Sequence, residues 1–290
     1  MHDTIATFEI GSLVWASMAF LVLAVALGGS RANASDNLAI HILDVGQGDA
    51  MILHQPGSCT LLIDAGPLLH GHRITKKIEN MDVSLLDLTI ITHPHLDHFG
   101  GLFDLLPRVG AAHFYDNGAT NQVWEYFDDY QKLRTLQPYK TLAHGDALTC
   151  GAMEIKVLHP DPSYDPNARL NDTSLVLMIS YGNFQLLHMG DLAGNEVSKF
   201  LAANDDLKAN VLKIAHHGAA DAASETLLRS VSPEYAIIST APTNRIGSPD
   251  QTLLNRLDLL EIPYFRTDQS GDIALTVDQD GYHITTSAKQ

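Results

Sequence analysis

The chain has 290 residues, 45% of them hydrophobic, which suits one large core or two small ones and excludes a disordered chain or a disulfide-stapled miniprotein. Only 18 Lys plus Arg stand against 34 Asp plus Glu, a formal charge of −16, which argues against a protein that grips nucleic acid through a broad basic face. Solubility accounts for the acids but not for the 15 histidines, so where they cluster is the first question.

The N-terminus reads separately from the rest. Leu13 to Leu27 is an apolar run of about fifteen residues, followed by Gly28, Gly29 and Ser30 and then by Ala32-Asn33-Ala34, the small-x-small pattern of a signal-peptidase site. The run is shorter than the roughly twenty residues a membrane-spanning helix needs. Residues 1–34 are therefore expected to be a cleaved secretory signal and the protein periplasmic or secreted. A start near Ile10 would stretch the run toward that limit, so an uncleaved N-terminal anchor is the alternative; Asp3 and Glu9 stand where a signal carries Lys or Arg. Losing Asp3, Glu9 and Arg31 leaves the remainder strongly acidic. In an exported chain Cys59 and Cys150 form either one disulfide across a long loop or two buried thiols.

From Leu38 onward β-rich runs alternate with helical patterns, without a linker or repeat, which predicts one domain over residues 35–290. The opening reads as strand, turn, strand: Leu38 to Leu43, a turn over Asp44-Val45-Gly46-Gln47-Gly48-Asp49, then Ala50 to Leu53, with Thr60 to Ile63 following. Asp44 and Asp49 are read as turn formers rather than carboxylates behind a site, with Gly46 and Gly48 at positive φ. Leu88 to Thr92 is a near-continuous apolar run, as in a strand buried on both faces. Further strands are expected at Ile155–Leu158, Leu175–Ile179, Phe184–Met189, Val211–Ala215, Tyr235–Ser239 and Ile273–Val277. Helices are expected at Ile74–Met81, Gly100–Leu106, Gln122–Leu136, Glu196–Ala203, Glu225–Val231 and Gln251–Leu260. Two β-rich halves with helices outside predict an α/β fold, an αββα sandwich rather than one doubly wound sheet.

The histidines gather at His93-Pro94-His95-Leu96-Asp97-His98, at the end of the apolar run. Imidazole with carboxylate is the ligand mixture of zinc, manganese or iron, whereas solvated turns favour Asn, Asp, Gly and Ser. His93, His95 and Asp97 are two apart, so an extended backbone would project them to one side, with His98 following as the chain curls. Two other runs end in the same way: Phe184 to Met189 meets Gly190-Asp191, and Val211 to Ala215 meets His216-His217-Gly218. Asp191 is a candidate bridging carboxylate. His216 and His217 point in opposite directions in a continuing strand, which leaves open which one binds metal. His41, His54, His113 and His283 read as core-edge or surface residues; His188 and His159 are weaker ligand candidates.

His93-x-His95-x-Asp97-His98 with Gly100-Gly101, Gly190-Asp191 and a later histidine resembles the metallo-β-lactamase superfamily. Within it, the segments Leu43–Ala50, Ile63–Gly66, Asn171–Leu177 and Leu212–Gly218 resemble the soluble hydrolase domain of ComEC-type DNA-uptake channel proteins, over roughly residues 38–277. The resemblance implies an αββα sandwich and a metal-dependent hydrolase. In it His93 and His95 hold one divalent ion and Asp97 and His98 a second, Asp191 bridges, and His216 or His217 completes the second site. Zinc is the expected metal, with manganese as the alternative. Two departures matter. Asn171 stands where many superfamily members have a third imidazole on the first metal, and Ser248 replaces the histidine of an Asn-x-x-Gly-His-Pro pattern in Asn244-Arg245-Ile246-Gly247-Ser248-Pro249.

On this reading Asp97 orients the attacking water, while Asn171, Thr173, Ser174 or the spare histidine, His217 among them, donates to developing charge. Lys213, Arg245 and Arg266 are the few cations near the motifs, so a small or single-stranded phosphodiester, or a cell-surface phosphoester, fits at least as well as duplex DNA. Hydrolysis of a lactam, lactone or thioester is the enzymatic alternative. A DNA-uptake accessory protein with a decayed site, for which Ser248 is the hint, is the non-enzymatic one.

Overall fold

The computed structural model describes residues 37–120, 126–162, 164, 168–244 and 247–287. The expected signal segment 1–34 and Arg245 lie outside the described residues, and none of the described helices is long and apolar enough to cross a membrane.

Fifteen strands form two sheets among the described residues. The first sheet contains β1 (Leu38–Ile42), β2 (Ala50–Gln55), β3 (Cys59–Ala65), β4 (Leu85–Ile90), β5 (Gly110–Asp116) and β6 (Tyr139–Thr141). The second contains β7 (Ala147–Cys150), β8 (Met153–His159), β9 (Val176–Tyr181), β10 (Phe184–His188), β11 (Val211–Lys213), β12 (Tyr235–Ile238) and β13 (Tyr264–Arg266). The chain then returns to the first sheet with β14 (Ile273–Asp278) and β15 (Gly281–Thr286), giving the orders β15-β14-β1-β2-β3-β4-β5-β6 and β13-β12-β11-β10-β9-β8-β7. Each sheet is antiparallel on one side and parallel on the other: β3 to β6 run parallel, as do β10 to β13.

The two sheets bury one shared core, in which Ile40, Leu53, Leu61 and Ile90 pack with Ile155, Leu177, Leu186 and Val211. Their outer faces are covered by helices. On the first sheet these are α1 (Gly71–Glu79), α2 (Leu96–Phe99), α3 (Leu102–Leu105) and α4 (Phe127–Thr135), whose Ile74, Phe99, Leu105 and Phe127 meet Ile52 and Leu62. On the second they are α5 (Asn195–Ala203), α6 (Glu225–Val231) and α7 (Gln251–Leu259), whose Phe200, Leu228 and Leu253 meet Leu187 and Leu212. A last short helix, α8 (Thr267–Ser270), follows β13. This is the expected αββα sandwich. Consecutive apolar residues in β10 work because Leu186 faces the shared core and Leu187 the helices.

Several elements lacked a sequence signal. β5 opens on Gly110-Ala111-Ala112, β15 is an edge strand whose residues alternate between exposed and half-buried, and β6 and β13 are three residues each. Of the helix expected over Gln122–Leu136, the described part is Phe127–Thr135, and that expected over Gly100–Leu106 shortens to Leu102–Leu105.

Of the two alternatives for the cysteines, the structure has the disulfide. Cys59 of β3 bonds Cys150 of β7, with Cα atoms 5.4 Å apart, and so ties one sheet to the other.

Candidate metal centre

The site is built where strands end. Beyond β4 the chain leaves the sheet at Ile91, and Thr92 and His93 are fully buried against the second sheet, where Leu175 N donates to Thr92 O at 2.9 Å. The extended stretch stops at His95, the N-cap of α2; Asp97 lies in the first turn of that helix. The expectation that Asp97 continues a strand-like alternation is therefore corrected: a helical turn, capped at His95, brings Asp97 and His98 to the site from the other side. From the second sheet, β10 ends at His188 and leads to Asp191, and β11 ends at Lys213 and leads to His216 and His217.

Gly190 makes one of these turns possible. It has φ +52°, and a Cβ there would lie 2.9 Å from Ser174 Cβ and 3.0 Å from Leu175 O. With no side chain, the chain reverses tightly enough for Asp191 N to donate to Ser174 Oγ at 3.1 Å. Asp191 Oδ1 accepts from His216 N at 3.2 Å, which leaves Oδ2 pointing into the cluster.

Three imidazole nitrogens surround that oxygen. His98 Nε2 is 3.4 Å from Asp191 Oδ2, His93 Nε2 3.6 Å and His217 Nε2 3.8 Å. His93 Nε2 also lies 2.8 Å from His95 Nδ1, and His217 Nε2 lies 3.3 Å from Asp97 Oδ2. Yet His98 Nε2 and His217 Nε2 are buried without a well-formed hydrogen bond. Buried polar atoms are nearly always satisfied, so two orphaned nitrogens facing one carboxylate oxygen is the arrangement a cation would complete. Ligand atoms of His93, His98 and Asp191 all fall within 4.8 Å of one another, as do those of Asp97, His98 and His217. The donor set fits a divalent metal.

The electrostatics agree. Burial, with His98 beside it, drives His93 well below the usual imidazole range, and burial likewise pushes His95 down to about 4, so both present neutral lone pairs. His98 is the exception: burial works against its charge, but Asp191 and Asp64 on either side hold its pKa well above the ordinary value. Burial would raise Asp191, yet the surrounding imidazoles keep it well below the carboxylate range.

Of the two adjacent histidines, His217 is 1% exposed and joins the cluster, at φ 53°. His216 stands at the rim, half-buried, facing a side pocket formed with Asp172, Glu196 and Asp221. Asn171 is 8% exposed and its Oδ1 has no hydrogen bond. It lines, with Gln47, His95, Asp97, Asp191, His216, His217, Thr243 and Asn244, a cavity of about 390 Å³ over the cluster. Thr173 and Ser174 do not face it as donors. Thr173 Oγ1 donates to Leu170 O and accepts from Asn117 Nδ2, and Ser174 Oγ is occupied by Asp191 N. Ser248 is not among the lining residues; its backbone carbonyl is held by Thr240 and Asn244.

Other expectations need correction. Asp49 is no mere turn former: it is 1% exposed and paired with Lys213, whose Nζ lies 2.8 Å from Oδ1 and 3.0 Å from Oδ2. Asp44 does form the turn, accepting from Gly46 N at 3.3 Å, and Gly46 and Gly48 have φ +70° and +141°. Lys213 is thereby withdrawn from any substrate, and Arg266 is paired with Asp268 at 2.6 Å. His159 bonds Ser174 O at 2.9 Å and lines a separate cavity, while His188 Nδ1 accepts from Gly190 N at 3.1 Å. Asp64 was passed over by sequence reasoning. Fully buried at φ 56°, it accepts from Thr92 N and Oγ1, both at 2.8 Å, and Oδ2 lies 2.8 Å from His98 Nδ1. A carboxylate on the far nitrogen of a ligand histidine fixes its tautomer and aims the other nitrogen inward. Its signal was Asp64-Ala65-Gly66 at the end of a buried strand.

The sequence profile of the family described as "Metallo-beta-lactamase superfamily" matches residues 43–241. ComE operon protein 3 of Bacillus subtilis (strain 168) is 28% identical over 258 residues, covering 81% of this chain and 32% of that protein. Competence protein ComA of Neisseria gonorrhoeae is 27% identical over 255 residues, covering 84% and 33%. The chain thus spans about a third of the length of the curated relatives it matches. Among solved structures, the metallo-beta-lactamase fold protein YhfI from Bacillus subtilis superposes with TM-score 0.56 at 14% identity, over 82% of this chain and 99% of that one. The CmlA beta-hydroxylase E377D mutant does so with TM-score 0.54 at 12% identity, over 82% and 53%. With a family profile matched over more than half its length and two packed sheets carrying His and Asp at their shared edge, the chain belongs to the metallo-β-lactamase superfamily.

Proposed function

We propose that this chain is a metal-dependent hydrolase that cleaves a phosphodiester in a small or single-stranded substrate, using two divalent ions, zinc in preference to manganese. The observation that carries the reading is the convergence of three imidazole nitrogens on Asp191 Oδ2, two of them buried and unsatisfied. His93 Nε2 and His95 Nδ1 would hold one ion, Asp97, His98 Nε2 and His217 Nε2 the other, with Asp191 between them; imidazole and carboxylate suit zinc. Divalent ions bound there would supply Lewis acidity and lower the pKa of water toward neutrality.

The protein's own groups then position the substrate. Asp97, partly open to the cavity, orients the attacking water. Asn171, standing in place of a further imidazole, would leave room for a phosphate oxygen, and its amide would donate to the developing charge, as would His216 at the rim. A cavity of about 390 Å³ lies at the small end of ligand-pocket sizes, which favours a short or single-stranded substrate over a duplex. Lys213 and Arg266 are both consumed by acids, so an extended backbone grip has no support from them. Export is part of the proposal, on the disulfide between the sheets.

The deciding experiment pairs elemental analysis with turnover of bis-p-nitrophenyl phosphate, nitrocefin and single-stranded DNA under added zinc or manganese. We expect bound metal and cleavage of one or both phosphodiesters. Cleavage of nitrocefin alone would sink the phosphodiester assignment, and a metal-free protein inert toward all three would return it to the accessory class. Asp191→Ala should abolish turnover while the fold persists.

A further inference from the structure

We propose that Asp49 and Lys213 are positioning residues of the metal centre: the Lys213 ammonium holds the Asp49 carboxylate as a charge behind the ligands and keeps it from becoming one. The inference rests on the reading that the cluster binds metal.

Among the described residues Lys213 is the one buried lysine, 1% exposed in a strand otherwise apolar. A buried ammonium is costly unless paired, and an apolar residue of similar volume would fill the same space at no electrostatic cost, so its presence calls for a reason. Its partner is 164 residues away in the chain, on the turn before β2, so the pair joins the two sheets directly beneath the site. Nζ grips both carboxylate oxygens and the Ile214 carbonyl at 3.1 Å. The Asp49 backbone is fixed as well, its N–H donating to Asp97 O at 3.2 Å and its carbonyl accepting from Gly66 N at 2.7 Å. Asp49 is close enough to ligate: an oxygen of its carboxylate lies within 4.8 Å of ligand atoms of Asp191 and His217, and of Asp64 and His98. A carboxylate at that range competes for metal unless another cation occupies it. Lys213 is that cation.

Opposed charges make opposed predictions. Asp49→Asn leaves an uncompensated ammonium under the site and should weaken zinc binding on the order of tenfold, measured by chelator competition. Lys213→Met frees the carboxylate and should tighten zinc binding by a similar factor; with cobalt(II) in place of zinc its visible absorption should change as an oxygen ligand joins. The double variant should return both readouts close to wild type. Zinc affinity unchanged in Asp49→Asn, or shifted in the same direction by both single changes, would overturn the proposal. Should Lys213→Met fail to fold, Asp49→Asn still decides it, since a fallen urea midpoint with zinc affinity unchanged is what a merely structural pair would give. Wild-type protein that binds no zinc defeats the metal-centre reading itself, an outcome separate from these.

Discussion

At the scale of single residues, what distinguishes His217 from His216 is direction alone. The two share chemistry and sequence neighbourhood, but left-handed backbone at both turns His217 under the strand ends and leaves His216 at the rim. His217→Ala should therefore lower zinc affinity at least tenfold, whereas His216→Ala should leave affinity within a factor of about three and act on turnover. Chelator competition and steady-state kinetics on both variants would show it; equal losses of affinity would mean that both rings ligate. The histidine cluster was legible in sequence because His93, His95, Asp97 and His98 are dense and follow a buried strand. Asp64, Asp49 and Lys213 were not legible as a second layer, because a lone acid in a turn and a lysine in a strand have ordinary readings until their partners, far away in the chain, are known.

At the scale of elements, the site depends on turns that only glycine allows. Gly48 has φ +141°, and a Cβ on it would overlap the carbonyl oxygen of Asp97. Gly57 also has positive φ, +71°, but nothing lies within 4 Å of its missing Cβ. Gly57→Ala should thus cost roughly 1 kcal/mol in urea unfolding, for backbone strain alone. Gly48→Ala should cost clearly more and also weaken metal binding, because the displaced carbonyl is that of Asp97 itself. Equal losses in the two variants would show that the contact with Asp97 carries no energy. The long buried strands were readable from hydrophobic runs. The edge strands were not, since β6, β13 and β15 owe their conformation to neighbours they pair with rather than to their own composition.

For the whole molecule, the disulfide and the buried histidines set stability. Cys59 and Cys150 are 91 residues apart in the chain, a loop for which chain entropy gives about 4.6 kcal/mol. Replacing both by serine should lower the unfolding free energy by that order, measured by urea titration against the oxidised wild type. Acid is the second lever. Burial, with Lys77 nearby, pushes His41 down to about 4, and burial with Lys213 nearby pushes His188 down to about 3, so both are neutral in the folded protein. In the unfolded chain they take up protons below about 6.5. The unfolded state then binds more protons, so stability is full above about pH 6.5 and falls as pH drops toward 4 and 3. His98 and His217 are raised and act oppositely, but only above about 6.5; from pH 5.5 to 4 Asp64 and Asp172, raised by burial, oppose the loss, and the depressed imidazoles, His54, His93, His95 and His159 among them, outnumber them. Urea midpoints of metal-free protein across that window should decline, and a flat profile would refute the assignment.

Sequence by itself determined the layered α/β architecture, the strand ends near which the clustered histidines and Asp191 stand, and the acidic body, because hydrophobic periodicity and residue clustering are local properties of the chain. The tertiary structure alone decided that His217 and not His216 reaches the cluster, that Asp64 aims His98, that the cysteines are bonded, and that Asp49 meets Lys213. Each of these is a contact between segments brought together only when the two sheets close on one core, and their geometry has no counterpart in local sequence.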